Sequence, residues 1–295
     1  MTTVRSHPPA PRPAGTSRPR ADLHTHSTCS DGCFSPTDLV HRARAAGLEM
    51  IALTDHDTVR GIAEAQAAGR AVGVEVIPGI EMSVREGEQE YHLLGYFIEG
   101  EGEGFQRYLD AVQANRVRRI RRMVDRLQAR GIAITYAEVE ARANGTVGRP
   151  HVARALVDRG VVKDIDAAFD EHLAEGRPGF VRRDMIGGTE GVALIRAMGG
   201  VPVLAHPGLY DSLAALPALV AAGLEGLEVF HPKHPPETVA TLERLAAAHG
   251  LVPTGGSDFH GDGAVCALGA RTVDAAVVDR LRTLRPEGAG GERCE

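Results

Sequence analysis

The sequence has no tryptophan, and aromatic residues make up only 4% of it. That scarcity argues against a row of aromatic platforms for stacking the bases of single-stranded nucleic acid. Cysteine is scarce as well. Cys29, Cys33, Cys266 and Cys294 are the only four in 295 residues, too few for a disulfide framework in a chain this long. We read them as reduced thiols of a cytoplasmic protein. Cys29 and Cys33 have no second cysteine pair to complete a zinc site, so they are read as small loop residues. No apolar run approaches the roughly 20 residues that span a bilayer. Positive charge is not in excess: the net charge is -6 with histidine neutral, which argues against a broadly basic coat for a long polyanion. A small phosphorylated substrate stays admissible, because a bound divalent cation brings its own positive charge. Residues 1–20 hold five prolines and four arginines but no apolar stretch. They are expected to form a disordered arm rather than a secretory signal. The Gly/Glu-rich residues 286–295 are expected to be a disordered tail.

What the chain does have is histidine and acid in spaced groups. Asp22-Leu-His24-Thr-His26-Ser opens the first of them, and Asp31-Gly32 follows in a Ser-rich turn. On an extended strand, residues i and i+2 point to one side. His24 and His26 can therefore approach one ion together, with Asp31 returning from the loop. One such pair proves little. It gains force from the acids and histidines that recur downstream.

Ser35-Pro36-Thr-Asp38 reads as a helix start, with a capping hydroxyl, proline in the first turn and an acid at the third position. The strand Met50-Ile-Ala-Leu-Thr runs into Asp55-His56-Asp57, and a helix over about 58–71 leads to Val74-Glu-Val-Ile and Gly79-Ile-Glu81. This β-α-β-α-β rhythm implies parallel strands, with ligand-binding residues at their carboxyl ends. Tyr91-His92-Leu-Leu-Gly is a further strand candidate. From about residue 100 the rhythm becomes helical, with segments near 105–129, 136–143, 150–159 and 164–174. The βα pattern then returns with helices near 189–198, 212–222, 236–248 and 274–284. Its strands are Val201-Pro-Val-Leu-Ala-His206, Gly226-Leu-Glu-Val-Phe and Leu251-Val-Pro-Thr, the last followed by Asp258-Phe-His260. Seven strands predict an α/β fold, a distorted seven-stranded TIM-like barrel. Its barrel would comprise 21–99 and 187–285, with 100–186 as a helical insertion. Arg116, Arg118, Arg119, Arg121, Arg122, Arg126 and Arg130 crowd the long helix. They read as a solvated face, with the alternative that some collect phosphate at the mouth of the site.

His24, His26, Asp31, His56, Glu81, His92, His206, Asp258 and His260 form a set of imidazoles and carboxylates without a thiolate. Nitrogen and oxygen donors suit Mn²⁺, Fe²⁺ or Zn²⁺. In sequence order these motifs, with Thr54-Asp55-His56-Asp57 and Ala205-His206-Pro207, resemble the PHP (polymerase and histidinol phosphatase) family. Tyr91-His92 and Gly148-Arg149-Pro150-His151 further resemble its trinuclear phosphoesterase branch, which includes 3′,5′-nucleoside bisphosphate phosphatases and 5′-to-3′ exoribonucleases. The resemblance runs from about residue 21 to 284 and implies a barrel holding three divalent metal ions, with Mn²⁺ ahead of Fe²⁺ or Zn²⁺.

By that resemblance, His24, His26, Glu81 and Asp258 would hold the first ion. Glu81, His92 and His206 would hold the second, and Asp31, His56 and His260 the third. The implied activity is hydrolysis of a phosphate ester on a nucleotide or short 5′-phosphorylated RNA by a metal-bridging hydroxide. A histidinol-phosphate-type phosphatase and a metal-bound regulatory module without turnover are the alternatives. No membrane or obligate protein partner is implied. Arg149 is the candidate phosphate clamp, with a surface salt bridge as its plainer reading. His234 is read either as a substrate-orienting residue or general acid, or as an ordinary loop histidine. Asp55 and Asp57, flanking His56, are expected to orient ligands or cap the next helix.

Overall fold

The computed structural model describes residues 20–98, 103–143, 147–210, 212–261 and 266–286. The expected arm, apart from Arg20, and the expected tail, apart from Pro286, lie outside the described residues. The first strands are β1 (Arg20–Thr25), β2 (Met50–Leu53) and β3 (Glu75–Glu86). They pair in parallel and are joined by α1 (Pro36–Ala45) and α2 (Ile62–Val72). Local chemistry sets these helices. The Ser35 hydroxyl accepts from the Asp38 backbone N–H at 3.1 Å, and Gly73, at φ 73°, ends α2 in the left-handed conformation glycine tolerates best.

The parallel series then reverses. β4 (Gln89–Tyr96) pairs antiparallel with β3 and with β5 (Val201–Leu204). Only the turn at 87–88 separates β3 from β4, too short for the crossover that parallel strands need. β6 (Gly226–Phe230) and β7 (Val252–Gly255) continue in parallel from β5. A two-residue β8 (Val273–Asp274) pairs antiparallel with β1.

The sheet therefore has eight strands in the order β7-β6-β5-β4-β3-β2-β1-β8, one more than expected, because a two-residue strand leaves no periodic signal. A parallel bridge between Thr25 and Phe259 brings the segment after β7 back to β1, so the sheet forms a nearly closed barrel. The reversal of β4 has a consequence for the site. His92 lies near the start of β4 and pairs with Ser83 of β3, so it comes out at the same barrel end as Glu81.

Between β4 and β5 run α3 (Glu103–Gln128), α4 (Tyr136–Glu140), α5 (Arg149–Asp158) and α6 (Ile165–Ala168). A π-helical turn at Phe169–Leu173 breaks the single helix expected over 164–174. These helices bury a cluster of their own, including Ile120, Met123, Leu127, Val152, Leu156 and Leu173. Full burial of each such side chain contributes about 2 kcal/mol. The barrel is wrapped by α7 (Gly188–Ala197), α8 (Leu216–Ala221), α9 (Pro236–His249) and α10 (Ala275–Thr283). Among the described residues no helix is long and apolar enough to cross a membrane.

Candidate metal centre

Glu81 is the hub of the barrel end. Its Oε2 lies 3.2 Å from His24 Nε2, 3.3 Å from His26 Nε2 and 3.1 Å from His56 Nδ1. Its Oε1 lies 2.8 Å from His92 Nδ1 and 3.0 Å from His206 Nε2. Five imidazoles thus meet one fully buried carboxylate. Asp258 Oδ1 sits 3.5 Å from His24 Nε2 and 3.3 Å from His26 Nε2. Asp31 reaches His260 Nε2 at 3.3 Å and His56 Nε2 at 3.8 Å. All nine residues singled out as ligands in the sequence come together here. His206 and Asp258 hold positive φ angles of 26° and 53°, conformations that cost energy in non-glycine residues and cluster at functional sites.

The donors fit divalent cations. His24 Nε2, both ring nitrogens of His26, His56 Nδ1, His92 Nδ1 and Glu81 Oε2 are buried without a well-aligned hydrogen-bond partner. Leaving that many polar atoms unpaired is costly unless a ligand satisfies them. Ligand atoms of His24, His26, Glu81 and Asp258 lie within 4.8 Å of one another, as do those of His26, Asp31, His56 and His260, and those of His56, Glu81 and His92.

The charges are coupled. Burial alone would raise the Glu81 pKa, but His56, His92, His24 and a hydrogen bond from His206 hold it well below the usual carboxylate range. Burial opposes a charged His26, yet Asp258, Glu81 and Asp31 push it up to about 10. At His56 burial prevails over Glu81 and Asp31, and the pKa falls to about 3.

The sequence matches the PHP domain over residues 22–173. The chain belongs to the PHP domain family. It is 36% identical over 249 residues to a 3′,5′-nucleoside bisphosphate phosphatase of Chromobacterium violaceum, covering 82% of this chain and 87% of that protein. It is 36% identical over 244 residues to a 5′-3′ exoribonuclease of Haemophilus influenzae, covering 81% and 89%. Among solved structures, a candidate metal-dependent phosphoesterase from Bifidobacterium adolescentis superposes with a TM-score of 0.82 at 34% identity, covering 91% of this chain and 97% of that one.

In this PHP chain the cluster rests on residues the sequence reading did not single out. Glu228, fully buried on β6, has Oε1 3.0 Å from His24 Nδ1, while its Oε2 accepts the His206 backbone N–H at 2.7 Å. A carboxylate on the remote ring nitrogen fixes the tautomer and aims the other nitrogen inward, so His24 presents Nε2. His231 Nε2 lies 3.5 Å from Asp258 Oδ2. One signal was available: Glu228 interrupts an otherwise apolar strand, and a buried carboxylate needs a partner. Asp55 folds the Asp31 loop by accepting from the Ser27 backbone N–H at 2.7 Å and from the Ser27 and Ser30 hydroxyls at 2.6 Å each. Neither Asp55 nor Asp57 caps α2, whose N-cap is Gly61.

Above the cluster lies a cavity of about 540 Å³ lined by Asp31, His56, His92 and Tyr210 on the barrel side and by Arg116, Arg119, Arg149, Arg182 and Arg183 opposite. Arg149 opens α5 and forms no ion pair among the described residues; its guanidinium lies 5.7 Å from the centre of the Phe169 ring. Of the arginines along and just after α3, Arg116 and Arg119 face the cavity, whereas Arg118, Arg121, Arg122, Arg126 and Arg130 are exposed. Burial, then the neighbouring charges of Arg149 and Arg183, bring the Arg119 pKa down to about 9. His234 is engaged elsewhere: its Nδ1 donates to the Val229 carbonyl at 2.9 Å, and its Nε2 accepts the Gly208 N–H at 3.2 Å. Both ring nitrogens are spent on backbone, which is the geometry of a loop histidine.

Proposed function

We propose that this protein is a metal-dependent phosphoesterase acting on nucleotide-type substrates, either 3′,5′-nucleoside bisphosphates or short 5′-phosphorylated RNA. The observation that carries this reading is one carboxylate shared by five imidazoles on the floor of an arginine-walled cavity. The relatives' activities on nucleotides and RNA support it. We assign three divalent ions, Mn²⁺ in preference to Fe²⁺ or Zn²⁺. His24, His26, Glu81 and Asp258 would hold one, Glu81, His92 and His206 the second, and Asp31, His56 and His260 the third. When bound, such ions supply a water acidic enough to attack near neutral pH and charge that offsets the phosphoryl oxygens.

The chain's own residues do the rest. Glu228 orients His24 and His206, and Asp55 holds the Asp31 loop in place. Arg149, with Arg119 beside it, clamps the substrate phosphate in the geometry that suits guanidinium. Residues 100–186 act as a cap that lowers these arginines over the barrel mouth. The free Cys29, Cys33 and Cys266 accord with work in the reducing cytoplasm.

The test is a substrate panel. Mn²⁺-loaded protein is offered adenosine 3′,5′-bisphosphate, a 5′-phosphorylated oligoribonucleotide, histidinol phosphate and an aryl phosphate, with phosphate and nucleotide release followed. We expect the nucleotides to be the best substrates, and Arg149→Ala to raise their KM about tenfold, roughly 1.4 kcal/mol. Faster turnover of histidinol phosphate than of every nucleotide would overturn the assignment, and no turnover at all would favour a binding module.

A further inference from the structure

Asp57 follows His56 in the chain, yet among the described residues its carboxylate takes its hydrogen bonds from Ser83, Tyr108, Arg116 and Arg183 rather than from the histidine cluster. Its backbone is left-handed, φ 52°, which is uncommon for a non-glycine residue and needs support from its surroundings. That support is dense. The side chain is 1% exposed. Its Oδ1 accepts the Ser83 backbone N–H at 2.8 Å, with the Tyr108 hydroxyl donating from 3.4 Å. Its Oδ2 accepts the Ser83 hydroxyl at 3.1 Å, Arg116 Nη2 at 2.7 Å and Arg183 Nη2 at 2.6 Å. One carboxylate therefore ties the loop after β2 to β3, to α3 and to the stretch leading into α7.

Two guanidinium groups share that single carboxylate, so the group keeps one net positive charge. Glu90 comes no nearer to Arg183 than 3.9 Å and is 40% exposed, so it neutralises little. Arg116 also keeps its Nε buried without a hydrogen-bond partner. Ser83, Arg116 and Arg183 line both the main cavity of about 540 Å³ and a smaller one of about 170 Å³, so they form the partition between the two. Arg183 Nη1 also donates to the Ser83 hydroxyl at 3.1 Å, and the side chains of Arg116 and Arg183 stay partly open to the cavity, 18% and 17% exposed. A cationic pair braced in a cavity wall in this way has the form of an anion subsite.

We propose that Asp57 is a positioning residue: it fixes Arg116 and Arg183 in the cavity wall, where they take the second, unhydrolysed phosphate of the substrate. This rests on the phosphoesterase reading above and adds to it a place for the phosphate that does not react. Guanidinium groups already held by Asp57 lose little freedom when the phosphate arrives, and that preorganisation is the source of the affinity.

Calorimetric titration of the Mn²⁺-loaded protein with adenosine 5′-monophosphate, which carries only that second phosphate, and with adenosine, which lacks it, tests the assignment. Wild type is expected to bind the monophosphate more tightly than adenosine. Asp57→Asn is expected to lose about tenfold in affinity for the monophosphate and no more than about twofold for adenosine, a tenfold change being the size of one good charge-assisted contact. In kinetics with the 3′,5′-bisphosphate, KM should rise more than kcat falls. If Asp57→Asn does not fold, Arg183→Lys keeps the charge but loses the fixed fork and should show the same ligand-selective loss. Equal losses for both ligands, or a lower Tm with an unchanged affinity ratio, would make Asp57 a plain brace and overturn the proposal. So would a wild type that binds the monophosphate no better than adenosine. A wild type that shows the preference yet hydrolyses no phosphoester would sink the proposed function and leave the subsite standing.

Discussion

The floor and the wall of the cavity are built on opposite principles. On the floor, imidazole and carboxylate groups from β1, β4 and the loops after β1, β2, β5 and β7 crowd around Glu81 of β3 with buried donor atoms left over. On the wall, Arg116, Arg119, Arg149 and Arg183 stand close enough that their mutual repulsion helps depress the Arg119 pKa. Each region is incomplete alone, and they lack opposite things: the floor needs cations, the wall needs anions. A phosphate ester bound to metal ions satisfies both at once. The pairing of two unsatisfied surfaces of opposite demand is thus a stronger argument for the chemistry than either surface taken singly.

The comparison breaks most visibly if its centre is removed. Glu81→Gln keeps the shape of the side chain and deletes the charge that five imidazoles share. Turnover of an aryl phosphate at saturating Mn²⁺ should fall by roughly 10³-fold or more, the scale seen when a group stabilising charge at the reacting centre is lost, while circular dichroism shows an intact fold. A loss of less than tenfold would mean that Glu81 is not the hub. One layer further out the effect should shrink. Glu228→Gln leaves a hydrogen-bonding side chain on His24 without its charge, so Mn²⁺ affinity or turnover should drop by about 10–100-fold. Metal titration followed by activity would measure this, and a variant indistinguishable from wild type would confine the floor to the groups that point inward.

The floor was legible in the sequence, and the wall only in part, through Arg149 and the undivided arginine run. His24-Thr-His26 and Asp258-Phe-His260 reveal themselves by their i, i+2 spacing, and His56, Glu81 and His206 by following apolar strands. His92 was found as a histidine on a strand, but not the reversal of β4, which follows from the short turn joining it to β3. Glu228 was passed over because it has no spaced partner: what it serves, His24, lies 204 residues away. Asp57 was read as an orienter of its neighbour, whereas its partners Arg116 and Arg183 come from segments that meet it only in the folded chain. The strand β8 spans two residues, below any periodic signal. The seven arginines from Arg116 to Arg130 look alike in sequence; only the packing of α3 through Ile120, Met123 and Leu127 decides which turn inward.

That division of α3 gives the smallest expected effect and the finest test of the wall. Arg122 is exposed on the outer face, whereas Arg119 lines the cavity one turn earlier. At physiological salt, charges separated by more than about 8 Å through solvent are largely screened. Arg122→Gln should therefore change kcat/KM for a 3′,5′-bisphosphate by less than about twofold, within the ±0.5 kcal/mol usual for surface substitutions. The same holds for a 5′-phosphorylated oligoribonucleotide if its backbone does not pass over this face. If trimming of the oligonucleotide instead fell tenfold at low salt and this deficit against wild type shrank at high salt, with the mononucleotide unaffected, the outer arginines would be tracking phosphates beyond the cavity. The wall would then continue around the helix as a path for RNA, and the protein's working substrate would be a strand rather than a single nucleotide.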